Sequence, residues 1–458
     1  MTTSLTTPVS TPAPALAPAP DTLIASRIAA LSLSSPYAVP ARKPGPDFVN
    51  LVSGAPAVEA LPLHEIRKVT SELLSGPETG GPALAYGPNA GDPALRELIA
   101  TREGVDPARV LITNGGLHGT SLALQAVAEP GDVIVVDDPV FPDTIRIVEN
   151  TGAGIHPVPV GPHGIDVEVL AERLRGGLRP KAVYTVPDFH NPNGGLLPYE
   201  RRLRLVELAE QYGFFVLSDN PYRQFAPDGR SEPDFPLDSD RVVVAHTFAK
   251  TLGPGLRLGW LIAPEWLAPH VINLRRRYDF QSSTLSQAIA RTLLARDDWF
   301  DQLLAHGRDI YRERAELTVR SLREAGDHLE FDDPAGGFFV WAKVRGGVPA
   351  AERLAERARE AGIVYSVGTF YDPLQQGRYA DHLRLAYSAA RHEHLVAGSR
   401  PPLPFPSPSA PPGRPRPPSP AAPSATSPST PSPTSATTAS TSSPTTGPSP
   451  PTASPSSP

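Results

Sequence analysis

Cysteine is absent from all 458 residues, which excludes disulfides, thiolate nucleophiles and cysteine metal sites. No run of 18 apolar residues occurs, and no basic start leads into an apolar stretch. Neither a membrane helix nor a secretory signal is therefore expected, and a cytoplasmic protein is the default. A basic excess is missing too. With Arg414 and Arg416 set aside, residues 1–400 carry 40 basic against 48 acidic groups, a net of −8. Neutralising nucleic-acid phosphates needs a basic face, so nucleic acid is not the expected partner.

Acidic residues are also absent from Pro401–Pro458, where 21 of 58 residues are proline and the rest mostly Ser, Thr and Ala. Such a stretch has too little apolar surface to offset its ordering entropy, so disorder is expected over 399–458. Residues 1–25 share the bias and the expectation. What remains holds enough apolar residues for a sizeable core.

Within that body, short β-branched or aromatic runs alternate with helical patterns. Val133–Val136, Ala182–Val186, Phe214–Leu217 and Val242–Ala245 read as buried strands. Between the second and third, Leu203, Val206, Ala209 and Tyr212 share one face of a helix over Tyr199–Tyr212, with Gly213 as its stop. Strand, helix, strand at this spacing predicts an α/β fold with a mostly parallel central sheet. After about residue 266 the pattern turns helical, and His328–Phe331 and Gly337–Lys343 suggest strands of a smaller α+β unit. Ligands of parallel sheets sit at the strands' C-terminal ends, and that is where unusual residues are sought.

Four polar clusters follow candidate strands. Thr247-Phe-Ala-Lys250-Thr-Leu-Gly-Pro-Gly-Leu-Arg257-Leu-Gly259 places a lysine at the mouth of a glycine-rich loop, with an arginine seven residues on. Alone, Lys250 reads as a surface lysine in a turn. Asn191-Pro-Asn-Gly194, Asp219-Asn-Pro-Tyr222 and Asn114-Gly115-Gly116 change that, because a parallel sheet gathers all four along one edge.

This combination resembles the fold-type I pyridoxal-phosphate aminotransferases of class I/II, in motif style the aminoadipate and kynurenine aminotransferase branch. The likeness runs from about Leu51 to Arg391. It implies an N-terminal arm (26–60), a large cofactor domain (61–265) and a small α+β domain (266–398), in a homodimer with sites at the interface. The implied cofactor is pyridoxal 5′-phosphate, and the implied substrates are an L-amino acid and a 2-oxo acid. No metal is implied.

By the same resemblance, Lys250 would hold the cofactor as a Schiff base and carry a proton, since a desolvated amine loses its proton readily. Asp219 would face the pyridine nitrogen and keep the ring an electron sink. Tyr222 and Asn191 would hydrogen-bond the ring oxygen. Arg257, Thr247 and the Gly115-Gly116-Leu117 turn at a helix start would take the phosphate. Phe141 would stack on the ring, and Tyr86 would reach the neighbouring subunit's phosphate. Arg384 would grip the substrate α-carboxylate, with Gly54 passing its backbone nearby.

Three departures stand out. Gly116-Leu117 replaces a polar pair usual in the family, which puts cofactor affinity in question. After Arg391 a helical pattern over His392–Gly398 gives way to Ser-Arg-Pro-Pro where a longer final amphipathic helix is usual, and Asn193 stands where Thr is frequent. Arg277 and His190 are further candidates for a polar substrate side chain. The same fold also hosts other pyridoxal-phosphate reactions on amino acids, and aminotransferase-like domains occur in transcription regulators. The latter need an added DNA-binding unit of roughly 70–100 residues, longer than the Pro/Ala-rich stretch before Leu51.

Overall fold

The structure is a computed structural model in which residues 24–29, 48–324, 326–346 and 350–397 are described. The two segments expected to be disordered, 1–25 and 399–458, lie outside these residues except for positions 24 and 25. Thirteen strands occur among the described residues. The chain passes through β1 (Val49–Leu51), β2 (Val110–Thr113), β3 (Val133–Asp138), β4 (Gly154–Gly161) and β5 (Gly164–Ile165). Next come β6 (Ala182–Thr185), β7 (Phe215–Asp219), β8 (Val242–Thr247) and β9 (Gly259–Ile262). The last four are β10 (Leu329–Phe331), β11 (Phe339–Val344), β12 (Ile363–Val367) and β13 (His382–Ala386).

Eight strands form one sheet in the order β2-β9-β8-β7-β6-β3-β4-β5. Strands β8, β7, β6, β3 and β4 are parallel, and β9 runs against both β8 and β2. It follows that β2, β3, β6, β7 and β8 all point their C-terminal ends to one edge. The α/β class and the mostly parallel sheet expected from the sequence are what the chain adopts. Alternate residues feed two cores: Ile134 and Val136 pack on one face, Val135 on the other. Burial on both sides explains why these strands read as continuous apolar runs rather than alternating ones.

The helix Tyr199–Tyr212 has the bounds expected, and Gly213 closes it at φ 79°, in the left-handed region that favours glycine. A second helix, Gly116–Val127, packs along β8 and β9 and starts at the site edge. The other sheet, β1-β12-β13-β11-β10, covers its own core of Leu329, Val340, Leu383 and Leu385. Its strand β1 comes from the far N-terminal side and pairs in parallel with β12. The helical pattern over His392–Gly398 is realised as a six-residue helix, His392–Ala397. No helix among the described residues is long and apolar enough to cross a membrane.

Candidate active site

At the shared strand edge lies a cavity of about 230 Å³, lined by Gly116, Leu117, Phe141, Asn191, Asp219, Tyr222, Thr247, Lys250 and Arg257 among others. Each arrives from a strand end: Asp219 closes β7, Thr247 closes β8, and Asn191 follows β6. Phe141 follows β3, and Gly116 follows β2. Arg257 precedes β9, whose reversed direction brings that strand's start to the same edge.

Lys250 extends its Nζ to the Gly54 carbonyl (2.8 Å), 5.6 Å from the Tyr222 ring centre and 5.9 Å from that of Phe338. Burial, with the Arg384 charge behind it, lowers this amine to about 8, while Asp219 pulls the other way. Asp219 is buried, and its Oδ2 accepts a bond of 2.8 Å from the Tyr184 hydroxyl. Desolvation pushes the carboxyl up to about 6, against the opposing pull of Tyr184, His246 and Lys250. Burial likewise raises the Tyr222 phenol, which Asn191 hydrogen-bonds.

Arg384, in β13, is 1% exposed. Its Nη1 donates to Asn191 Oδ1 (2.9 Å) and its Nη2 to the Val52 carbonyl (2.5 Å). Its guanidinium lies 4.4 Å from the Phe339 ring centre and 5.2 Å from that of Tyr371. Its Nε is buried with no hydrogen-bond partner in the protein, which leaves one donor for an acceptor. Gly54 has no room for a side chain: a Cβ there would stand 2.7 Å from Phe339 Cζ.

The anion end is built from backbone. Gly115 takes φ 88° and caps the helix Gly116–Val127, and a Cβ on it would meet Arg257 Nη2 at 3.0 Å. Arg257 is anchored by Nη2 to the Asn114 carbonyl at 2.9 Å. Thr247 Oγ1 is engaged locally, accepting from the Ala249 N–H (3.0 Å) and donating to the Leu258 carbonyl (3.3 Å). Beneath this turn sits Gly259, where a Cβ would fall 2.5 Å from the His246 carbonyl and 2.8 Å from the Gly115 carbon.

Not every candidate reaches the cavity. Tyr86 is 90% exposed, edge-on to Phe280 at 5.7 Å. Arg277 is exposed and bonds the Asn273 carbonyl at 3.1 Å, while His190 is buried 3.1 Å from Asp137. The sequence reading missed Tyr184. It also missed the fully buried pair Arg202–Asp188 (2.9 and 3.1 Å), which with Asn220 Nδ2 (2.6 Å to Asp188) ties the loops after β6 and β7 together. One signal was available: Asn220 lies inside the Asp219–Tyr222 motif, and Asp188 stands three residues before Asn191.

The family model for aminotransferases of class I and II matches residues 46–397. The chain belongs to this family. This aminotransferase is 30% identical over 361 residues to the 2-aminoadipate transaminase of Thermus thermophilus, covering 78% of this chain and 89% of that one. It is 31% identical to aromatic-amino-acid aminotransferase 1 of Thermococcus litoralis, covering 70% and 79% of the two chains. The crystal structure of the Thermus thermophilus α-aminoadipate aminotransferase complexed with N-(5′-phosphopyridoxyl)-L-leucine superposes with a TM-score of 0.73 at 28% identity, covering 78% of this chain and 91% of that one.

The cofactor of this aminotransferase is pyridoxal 5′-phosphate, and the groups at the cavity fit it. A desolvated amine suits an aldehyde. A helix start with an arginine beside it suits a phosphate. A buried carboxyl with a raised proton affinity suits a cationic ring nitrogen, and the unpartnered Arg384 Nε leaves a donor for a carboxylate.

Proposed function

We propose that this pyridoxal-phosphate aminotransferase moves an amino group between an L-amino acid and a 2-oxo acid with the residues gathered at the strand edge. The observation that carries the reading is the convergence of Lys250, Asp219, Tyr222 and Asn191 on one small cavity, with Arg384 bonded to Asn191 behind its lining. When bound, the cofactor supplies an aldehyde carbon that joins amines and a ring that accepts the electron pair left on the substrate Cα.

The chain's own residues do the rest. Arg384 and Asn191 hold the α-carboxylate beside the Gly54 backbone and so fix the plane of the substrate. Lys250 Nζ, lowered to about 8, would hold the cofactor through its aldehyde and is placed to carry the substrate's Cα proton. Asp219 would face the ring nitrogen, with Tyr184 orienting its carboxylate. Tyr222 and Asn191 would bond the ring oxygen, and Phe141 would pack on the ring face. Gly115, Gly116, Leu117, Thr247 and Arg257 would hold the phosphate.

Tyr86, standing in solvent, serves a neighbouring subunit in a homodimer. On this reading the eight-stranded sheet belongs to the large domain (61–265) and the five-stranded sheet to the small one (266–398), joined there by β1 of the N-terminal arm (26–60). The setting is amino acid metabolism in the cytoplasm. Because relatives carry the names of 2-aminoadipate and aromatic-amino-acid enzymes, those amino acids are the first donors to try. The test is a half-reaction on purified holoenzyme. Amino acid alone should convert the visible cofactor band to that of its amine form, and a 2-oxo acid should restore it. A band that bleaches and is not restored by any 2-oxo acid counts against transamination.

A further inference from the structure

Beside the cavity, but outside its lining, a second charged cluster joins the two sheets. Asp138 ends β3, three residues before Phe141. Its two carboxylate oxygens accept from Arg378 Nη1 (2.7 Å) and Nη2 (2.9 Å), and Oδ1 also accepts from the Tyr379 hydroxyl at 2.8 Å. Arg378 turns its Nε (3.0 Å) and Nη2 (2.7 Å) to Asp372 Oδ1 as well. Asp372 is pinned in turn by the backbone N–H groups of Leu374 (3.1 Å), Gln376 (2.8 Å) and Arg378 (3.1 Å). One arginine thus bridges two carboxylates, one at the end of β3 and one in the segment between β12 and β13, with two-point geometry toward Asp138.

What this clasp holds is the site. On the cofactor side, the Val140 N–H donates to the Tyr371 carbonyl at 2.9 Å, so the segment carrying Phe141 is bonded to the segment before β13. On the substrate side, the fully buried Tyr371 lies 5.2 Å from the Arg384 guanidinium and donates to Ser366 at 3.0 Å. Ser366 is the register partner of Arg384 across β12 and β13. A displacement at Arg378 would therefore move Phe141 and Arg384 relative to each other.

We infer that Arg378 is a positioning residue that fixes the separation between the ring-stacking Phe141 and the carboxylate-binding Arg384. It acts through Asp138 and Asp372 without touching cofactor or substrate. This rests on the roles given to Phe141 and Arg384 above.

The test compares the holoenzyme with Arg378→Gln, Arg378→Lys and Tyr379→Phe, and with Arg323→Gln as a control that removes a remote exposed pair with Asp333. Expected for Arg378→Gln is a rise in KM for the amino acid of about tenfold with kcat within about threefold, since carboxylate binding rather than proton transfer is loosened. The circular dichroism of the bound cofactor's visible band should fall by about half. Arg378→Lys should recover part of both, and Tyr379→Phe should shift both in the same direction by less. Arg323→Gln should leave both unchanged. If Arg378→Gln does not fold, the Lys and Phe variants carry the comparison. Folded variants with wild-type KM and dichroism overturn the inference, as does a loss confined to kcat. Absence of a cofactor band in the wild type would instead overturn the reading on which the inference depends.

Discussion

If burial and Arg384 hold the Lys250 amine at about 8, the apoenzyme must capture its cofactor far faster than an ordinary lysine would. At pH 7.5 an amine of that affinity is about a quarter unprotonated, against about one part in a thousand for a free ε-amine near 10.5, so capture at that pH gains roughly 200-fold. Pyridoxal phosphate titrates too, so the capture rate at each pH is divided by that of a free ε-amine such as N-acetyl-lysine amide in the same buffer. The assay is the growth of the visible band after mixing apoenzyme with cofactor, from about pH 6.5 to about pH 9.5. Below about pH 8 both amines gain a factor of ten per pH unit and the ratio is level; above it the protein amine saturates and the ratio falls. Arg384→Gln removes a cation that disfavours the ammonium, so the break should move to higher pH, yet stay short of 10.5 because burial remains the larger cause. Asp219→Asn removes an anion that favours it, so the break should move lower. A ratio level across the whole range would refute this account of the amine.

Three further outcomes follow from the same geometry. Asp219 is raised from 3.8 to about 6 in the fold, so its ionisation opposes folding. The native state gains from this proton fully below about pH 4 and loses the gain as pH rises to about 6, some 3 kcal/mol in all. Asp219→Asn should accordingly stabilise the apoprotein at pH 7 in thermal melts, with the advantage vanishing near pH 4. At the anion end, a side chain at Gly116 meets only ordinary contacts, 3.5 Å from Thr247 Cβ and 3.7 Å from Asp219 Oδ1. Gly116→Ser should tighten cofactor binding several-fold by equilibrium dialysis, whereas Gly259→Ala should weaken it, because its Cβ collides with backbone. Arg202→Met strands the buried Asp188 carboxylate and should cost about 3–5 kcal/mol in denaturant unfolding. Arg204→Met, on the exposed face of the same helix, should cost less than about 1 kcal/mol.

The parts legible in the sequence are those where one local signal suffices. The helix Tyr199–Tyr212 carried both a 3.6-residue period and a glycine stop, and the parallel strands were β-branched runs because both their faces are buried. β1 was missed because three residues paired to a strand more than 300 positions away leave no local pattern. β9 was missed as a separate strand because Gly259–Ile262 is short and glycine-led, and its reversal depends on partners distant in sequence. At the site, residue types in motifs located Lys250, Asp219 and Arg384, but not what stands behind them. Arg202 looks like any arginine on a charged helix; only the fold removes it from water and sets it against Asp188. Arg378 carried no signal either, since its partners lie 6 and 240 residues away.

Together the site residues form an arrangement that is unfavourable in isolation. A buried carboxyl resists ionisation, a buried amine resists protonation, and an arginine keeps one N–H without an acceptor. The chain offsets these costs only in part, through Tyr184, His246 and Lys250 for Asp219 and the Gly54 carbonyl for Lys250. On the proposed reading, each would be relieved by a different piece of the ligand: a cationic ring nitrogen for Asp219, an aldehyde for Lys250, and a carboxylate for Arg384. Strain of this kind is expected to persist where a bound group compensates it. The apoprotein should then gain stability from saturating cofactor beyond what phosphate alone gives, and inorganic phosphate should raise the melting temperature only by the share of the Gly116 turn and Arg257. Equal stabilisation by phosphate and by pyridoxal phosphate, each at saturation, would place the strain outside the Lys250–Asp219 pair.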